Sequence, residues 1–175
     1  MGAHDILCGP SETDELALRL QNQVRRKQQD DSQRAQLKTG LQAAVTDPLT
    51  GLHNRRYALP SMTRTIAEAA STGRPLTVMV ADLDHFKKIN DRLGHAAGDA
   101  VLRRVATLLR DTLRDDDLIA RIGGEEFLIV LPDTPRERAK EVARRLCKTV
   151  RKTPITVAGQ NAPSHVTLSI GVSSV

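Results

Sequence analysis

Two short apolar runs joined by a pair of glycines constrain this chain more than any other feature. Residues 118–122 and 127–131 are rich in Leu, Ile and Val, and Gly-Gly-Glu-Glu occupies positions 123–126 between them. Apolar runs of this length around glycines predict two β-strands joined by a tight hairpin turn. Glycine permits positive φ and a close approach of ligand to backbone. Adjacent carboxylates repel each other, so the turn is either a solvated acidic hairpin or a site for a divalent cation.

A second acidic cluster favours the cation site. The apolar run 76–81 is too short to span a membrane and suits a buried strand, and Asp82-Leu83-Asp84 follows it directly. Ligand crevices of open α/β sheets lie at such strand ends. Asp82 and Glu125 offer hard oxygen ligands suited to Mg²⁺, which commonly takes one or two carboxylates together with substrate phosphates. The sequence holds no His and Cys cluster that would suggest zinc.

The order of apolar periodicities predicts a β-α-α-β-β-α-β domain, an antiparallel sheet with its helices on one face. Helices are expected over about 56–70, 86–93, 99–113 and from residue 136 to about 150, and further strands at 155–157 and 166–172. Upstream, no proline occurs between positions 11 and 45. This stretch is predicted to form one long helical stalk, with a solvated linker as the alternative. A stalk helix would favour parallel dimer pairing.

Five motifs in a fixed order resemble the GGDEF family of diguanylate cyclases. They occupy residues 47–56, 82–91, 94–99, 123–127 (Gly-Gly-Glu-Glu-Phe, the GGEEF motif) and 169–172. A lone GGEEF is a weak signal, whereas five ordered motifs are specific. The family makes cyclic di-GMP from two GTP and releases two pyrophosphates. The resemblance implies an α+β fold of the ferredoxin-like, nucleotidyl-cyclase palm type, an antiparallel sheet with flanking helices, here preceded by a long helical stalk.

The resemblance extends upstream to PleD-type response regulators, whose C-terminal part the chain is similar to. It implies a remnant of a receiver domain, its last strand and helix, over residues 1–26, a helical linker over 27–46, and a GGDEF domain over 47–175 truncated at its C-terminus. Receivers usually carry Lys-Pro where this chain has Gly9-Pro10, which suggests a degenerate receiver. Because a helix and a final strand of the family pattern are missing, we expect weak or absent turnover from these 175 residues alone.

Motif positions in the family imply a role for each candidate residue. Glu125 is the implied general base, and Lys87 stabilises phosphate charge. The implied ligands of Mg²⁺ (or Mn²⁺) are Asp82, Leu83 through its carbonyl, Glu125 and Glu126, the last of which is as well explained as a solvated carboxylate. The implied GTP contacts are Asn90, His95, Asp99, Gly123 and Gly124. The implied inhibitory site for cyclic di-GMP comprises Arg114, Asp117 and Arg145.

One domain holds one GTP while the product joins two, so the resemblance implies a homodimer for turnover and, for a full response regulator, an upstream histidine kinase. The alternative is a non-catalytic module that binds GTP or cyclic di-GMP. The charge of +5 suits polyanionic ligands, but with 2% aromatic residues stacking of single-stranded nucleic acid is disfavoured. Two cysteines, no signal peptide and no apolar run of membrane-spanning length predict a cytoplasmic protein.

Overall fold

The computed structural model describes residues 22–29, 31, 40, 44–156 and 164–175. The chain divides into two compact units, Met1–Gln42 and Ala43–Val175. In the first unit residues 22–29 are helical. The rest of the predicted receiver remnant, and most of the predicted stalk, lie outside the described residues.

The second unit alternates short strands with longer helices. In chain order its elements are β1 His53–Asn54, α1 Arg55–Thr72, β2 Leu76–Leu83, α2 Phe86–Leu93, α3 His95–Thr112, β3 Leu118–Arg121, β4 Glu126–Pro132, α4 Arg136–Lys152 and β5 Leu168–Ser174. The predicted strand at 155–157 reduces to one bridge between Ile155 and Ser164, and its last residue lies outside the described residues. Among the described residues, no helix combines the length and apolar character that crossing a membrane requires.

The strands form one five-stranded sheet in the order β1-β3-β4-β2-β5. The pairs β3–β4, β4–β2 and β2–β5 are antiparallel, as predicted, but β1 pairs with β3 in parallel. The sheet is therefore mixed. No sequence pattern predicts β1, because this strand has only two residues, His53 and Asn54, and no apolar alternation.

Helices cover both faces of the sheet, so the prediction that they share one face was wrong. Alternate residues of β2 and β4 point to opposite sides, as the pleat requires. Met79, Phe127 and Ile129 belong to a large cluster with residues of α2, α3 and α4. Leu76, Leu128, Val130 and other residues form a second cluster with α1, which supplies Ala58, Met62, Ile66 and Ala69. The apolar runs of β2 and β4 thus reflect burial on two faces.

Asn54 fixes the start of α1 and the segment that leads into the domain. Its side-chain oxygen accepts a hydrogen bond from the Tyr57 backbone N–H at 2.9 Å, as an N-cap residue does. Its Nδ2 donates to the carbonyls of Ala44 and Thr46 at 3.1 and 3.2 Å. The helix ends at Gly73, whose φ of 66° lies in the left-handed region that glycine tolerates.

The turn of the GGEEF hairpin is longer than the predicted two-glycine turn. β3 ends at Arg121 and β4 begins at Glu126, and the Ile122 N–H donates to the Glu126 carbonyl at 2.9 Å. Gly123 and Gly124 are not among the residues with positive φ. Only at Gly123 does the lack of a side chain matter for space among the described residues: a Cβ there would overlap the Glu126 carboxylate, whereas one on Gly124 would meet nothing within 4 Å.

Candidate active site

Carboxylates of β2 and of the GGEEF hairpin meet at one end of the sheet. Asp82 pairs with Glu126 in the antiparallel register, which places both side chains on the same face at close range. The Leu83 N–H donates to the Glu125 carbonyl at 3.3 Å, so the half-buried Glu125 lies beside the end of β2. The register therefore places the backbone of Asp82 and Leu83 beside that of Glu125 and Glu126.

This donor set fits a magnesium ion better than a transition metal. Within the described residues, no group of three or more His, Cys, Asp or Glu side chains could enclose a metal on its own. Mg²⁺ does not need such a cage, because it usually binds through one or two carboxylates and completes its coordination with water and substrate phosphates. An oxygen-only set that includes Asp82 and Glu126 is of that kind.

Asp84 belongs to the same acidic stretch but has a structural role. Its two carboxylate oxygens accept hydrogen bonds from the hydroxyls of Ser169 at 2.6 Å and Thr167 at 2.5 Å, and its N–H donates to the Thr167 carbonyl. These hydroxyl groups lower the pKa of the Asp84 carboxyl. The Asp84 carboxylate thus holds the end of β2 against Thr167 and Ser169.

The predicted guanine-reading residues lie on two neighbouring helices. Asn90 is on α2, and Asp99 is near the start of α3. The Asn90 side-chain oxygen is buried and has no hydrogen-bond partner among the described residues. It lies against Gly98, where a Cβ would overlap it and would come within 3.0 Å of the Phe86 ring. Because glycine has no side chain, the Asn90 amide fits beside Gly98, and its oxygen can accept a hydrogen bond from a ligand.

Lys87 and His95, two further predicted nucleotide contacts, lie at the starts of α2 and α3. Lys87 is exposed on α2, and His95 is exposed as the first residue of α3. Neither side chain has a hydrogen bond or an ion pair with Glu125 or Glu126 in the part of the chain that the structure describes. Within the described residues, the exposed Lys87 ammonium is therefore available to a phosphate group.

Arg121 connects the GGEEF turn to the first motif, and the sequence analysis missed it. Its guanidinium donates to the Gly124 carbonyl at 3.1 and 2.7 Å and to both Asp47 carboxylate oxygens at 3.3 Å. Asp47 also accepts from the Thr50 N–H and hydroxyl, at 2.9 and 2.6 Å. Partial burial alone would raise the pKa of Asp47, but the Thr50 hydrogen bonds and the Arg121 charge outweigh it and lower the pKa.

The predicted inhibitory residues surround the turn that follows α3. The Asp117 carboxylate accepts a hydrogen bond from the Arg114 N–H at 2.9 Å, and so shapes this turn. Arg145 of α4 donates to the Thr112 carbonyl at 3.1 Å. Thr112 lies two positions before Arg114 in the chain. Both arginine side chains are exposed. The structure thus shows a contact between Arg114 and Asp117 and a separate contact of Arg145 with Thr112.

Comparison with known proteins shows the family of the chain. The family model described as diguanylate cyclase, GGDEF domain, matches residues 44–175. This chain belongs to the GGDEF family. The response regulator PleD of Caulobacter vibrioides is 43% identical over 174 residues, which are 99% of this chain and 38% of that protein. Diguanylate cyclase DgcP of Pseudomonas aeruginosa is 42% identical over 133 residues, 76% of this chain and 20% of that protein. The chain thus spans well under half the length of these relatives.

Solved structures resemble this GGDEF domain in fold. The coiled coil and GGDEF domain of DgcB from Caulobacter crescentus, in complex with c-di-GMP, gives a TM-score of 0.78 at 28% identity and covers 91% of this chain and 82% of that one. Diguanylate cyclase SiaD of Pseudomonas aeruginosa, in complex with its activator SiaC, gives 0.71 at 34% identity and covers 91% of this chain and 64% of that one.

Replacing Arg121 by Gln in this GGDEF domain should lower the free energy of unfolding by about 1–3 kcal/mol, the range for hydrogen bonds to charged groups. The Arg121 and Asp47 side chains are only 16% and 17% exposed, so solvent screens their pairing weakly. Urea denaturation gives the value. Arg103→Gln, at an exposed position of α3, is the matched control and should be neutral. Equal stabilities of the Arg121 variant and the native chain would show that the link does not support the fold.

Proposed function

We propose that this chain is a diguanylate cyclase domain, which condenses two GTP into cyclic di-GMP and releases two pyrophosphates. The observation that carries the proposal is the buried, unpaired Asn90 oxygen beside Gly98 and Asp99. An amide and a carboxylate together offer two kinds of acceptor and an NH2 group with two N–H donors. Guanine presents N1–H and N2–H₂ donors and the O6 acceptor, so this pair is complementary to it.

The chemistry needs a nucleophile, a neutralised phosphate and in-line positioning. The 3′-hydroxyl oxygen of one GTP attacks the α-phosphorus of the other, the bond from that phosphorus to the bridging oxygen breaks, and pyrophosphate leaves. Glu125, held at the end of β2 through the Leu83 contact, accepts the hydroxyl proton. Lys87 balances charge on the phosphates. Two such steps close the ring.

A divalent metal fits the end of β2 and the adjoining GGEEF turn, which together we call the carboxylate edge. The residues that would hold Mg²⁺ or Mn²⁺ are Asp82, Leu83 through its carbonyl, Glu125 and Glu126. Bound there, the ion supplies charge neutralisation for the triphosphate and acidifies a bound hydroxyl. The protein's own part is to fix the carboxylates by strand register, and Arg121 supports it by anchoring the Gly124 carbonyl.

The wider setting of the enzyme is part of the same proposal. Because each domain holds one GTP, two copies of the chain must face each other, and a homodimer is required for turnover. In a PleD-like response regulator, phosphorylation by a histidine kinase would control that pairing. The cytoplasmic location stays a prediction from the sequence.

The test is incubation of the protein with GTP and Mg²⁺ and chromatographic detection of cyclic di-GMP. We expect product to form, and its rate to rise more steeply than linearly with protein concentration, since two copies must meet. High protein concentration and long incubation allow for weak turnover. Binding of GTP with no product at any protein concentration would instead identify the non-catalytic binding module, and failure to bind GTP would overturn both.

We further propose product inhibition through Arg114, Asp117 and Arg145. Exposed guanidinium groups can make bidentate hydrogen bonds to guanine or phosphate.

Arg114→Ala should weaken inhibition by added cyclic di-GMP by about tenfold, the equivalent of one lost charged hydrogen bond. The uninhibited rate should not change, because Arg114 lies outside the carboxylate edge. Initial rates at increasing cyclic di-GMP provide the measurement, and Arg103→Ala is the control. Unchanged inhibition in the Arg114 variant would remove this site from the proposal.

A further inference from the structure

A cavity lies beside α2, and none of the residues assigned to GTP lines it. Its volume is about 640 Å³, and it lies between α2, the C-terminal end of α4 and residues 164–167. We call it the basic pocket, because Lys88, Arg92 and Arg151 line it. None of the residues assigned to metal, guanine or product inhibition contributes to it. A volume of this size is within the range of small-molecule sites.

The positive charge of the basic pocket is not compensated within the described residues. The side chains of Lys88, Arg92 and Arg151 are exposed, and no ion pair or side-chain hydrogen bond engages them there. Asp84 is the one acidic residue in the described lining, and its carboxylate is already bound by the hydroxyls of Thr167 and Ser169. Cations gathered around a cavity with so little opposing charge attract anions.

Two histidines and an apolar floor complete the basic pocket. His85 and His165 lie on its wall, and Ile89, Leu93 and Val166 give it apolar surface. His85 has a φ of 59°, which is uncommon for a residue other than glycine, although histidine adopts it more readily than most residues. Guanidinium groups match phosphate oxygens in a two-pronged geometry, and an ammonium group adds a point charge.

We propose that the basic pocket binds a ligand carrying a diphosphate or a longer phosphate chain. Three permanent cations exceed what one monoanion can neutralise, and a single phosphate would fill little of the cavity. Lys88 and Arg92 are four residues apart, so they share one side of α2. Asn90 faces Gly98 of α3, and Lys87 is turned by about 100° from Lys88 around the helix. The basic pocket is thus a separate site, and it does not depend on the proposed cyclase activity.

Calorimetric titration with inorganic pyrophosphate, and separately with ADP, tests this site. EDTA is present so that no metal-dependent binding at the carboxylate edge contributes, and ADP avoids guanine recognition. The double variant Arg92→Ala/Arg151→Ala is compared with Arg64→Ala/Arg136→Ala, which removes the same charge from exposed positions on α1 and at the start of α4. Lys87→Ala probes binding at the proposed GTP site.

We expect saturable binding of pyrophosphate that weakens by about tenfold or more in the Arg92/Arg151 variant, since each bidentate contact is strong. The control pair and Lys87→Ala should stay within about twofold of the native chain. Equal affinity for ADP and pyrophosphate would identify a free phosphate chain as the ligand, and tighter binding of ADP a nucleotide held also by the apolar floor. Absence of saturable binding, equal weakening in the control, or loss in Lys87→Ala alone would overturn the proposal.

Discussion

Glu125→Gln is expected to slow formation of cyclic di-GMP by about 100-fold or more, the usual contribution of a general base. The substitution keeps the size of the side chain but removes the group that accepts the 3′-hydroxyl proton. It also removes one negative charge from the proposed metal-binding edge. The backbone bond from the Leu83 N–H to the residue 125 carbonyl does not involve the side chain, so the turn should keep its shape. Chromatography of the product gives the rate.

A matched control separates loss of chemistry from loss of fold. Glu141→Gln changes the same group on the exposed side of α4, where, among the described residues, Glu141 forms a surface ion pair with Arg138 at 3.7 Å. This variant should turn over GTP at the native rate, because exposed pairs contribute little to stability. Thermal unfolding of all three proteins should be similar. Equal product from Glu125→Gln and the native chain would remove Glu125 from its catalytic role.

Gly98→Ala should weaken GTP binding by roughly tenfold while it changes the stability by less than about 1 kcal/mol. The added Cβ overlaps the Asn90 side-chain oxygen, which must rotate away from its buried position. The Phe86 ring, 3.0 Å from the added Cβ, must also shift slightly. This cost is partly offset because alanine is a better helix former than glycine. The loss therefore falls on recognition, since guanine would no longer find the amide in place. Fluorescence titration with a labelled GTP analogue and urea denaturation give the two quantities.

Comparison with Asn90→Ala shows whether Gly98 acts through that amide. If it does, the double variant Asn90→Ala/Gly98→Ala should bind GTP as weakly as Asn90→Ala alone, because there is no side-chain amide left to displace. Gly171→Ala is the control, since a Cβ there makes only an ordinary contact with the Val80 carbonyl at 3.9 Å. Additive losses in the double variant would show that Gly98 supports the nucleotide in another way.

Much of the domain could be predicted because its signals are local. The apolar run before Asp82 and the two runs around the GGEEF motif correspond to β2, β3 and β4. The pairing of Asp82 with Glu126 follows from the same three strands. The two-residue β1 could not be found in this way, because its pairing with β3 is a tertiary contact.

The wrong prediction of the helix faces and the features that were missed all depend on tertiary contacts. α1 packs on the opposite face from the other helices, and a helix pattern shows which of its faces is buried but not which side of a sheet it covers. Arg121 occurs in an apolar strand, and its contact with Asp47 joins residues 74 positions apart, whereas its contact with the Gly124 carbonyl is local. The buried Asn90 oxygen likewise required the position of α3 to be known.

The ratio of pyrophosphate released to cyclic di-GMP formed tests the central claim most directly. With GTP as the only nucleotide, a cyclase that joins two GTP gives two pyrophosphates for each cyclic di-GMP and no free phosphate. ATP should give neither product, because Asn90 and Asp99 are matched to guanine. Release of phosphate and GDP in place of pyrophosphate, or equal turnover of ATP, would contradict the assignment of this chain as a diguanylate cyclase domain.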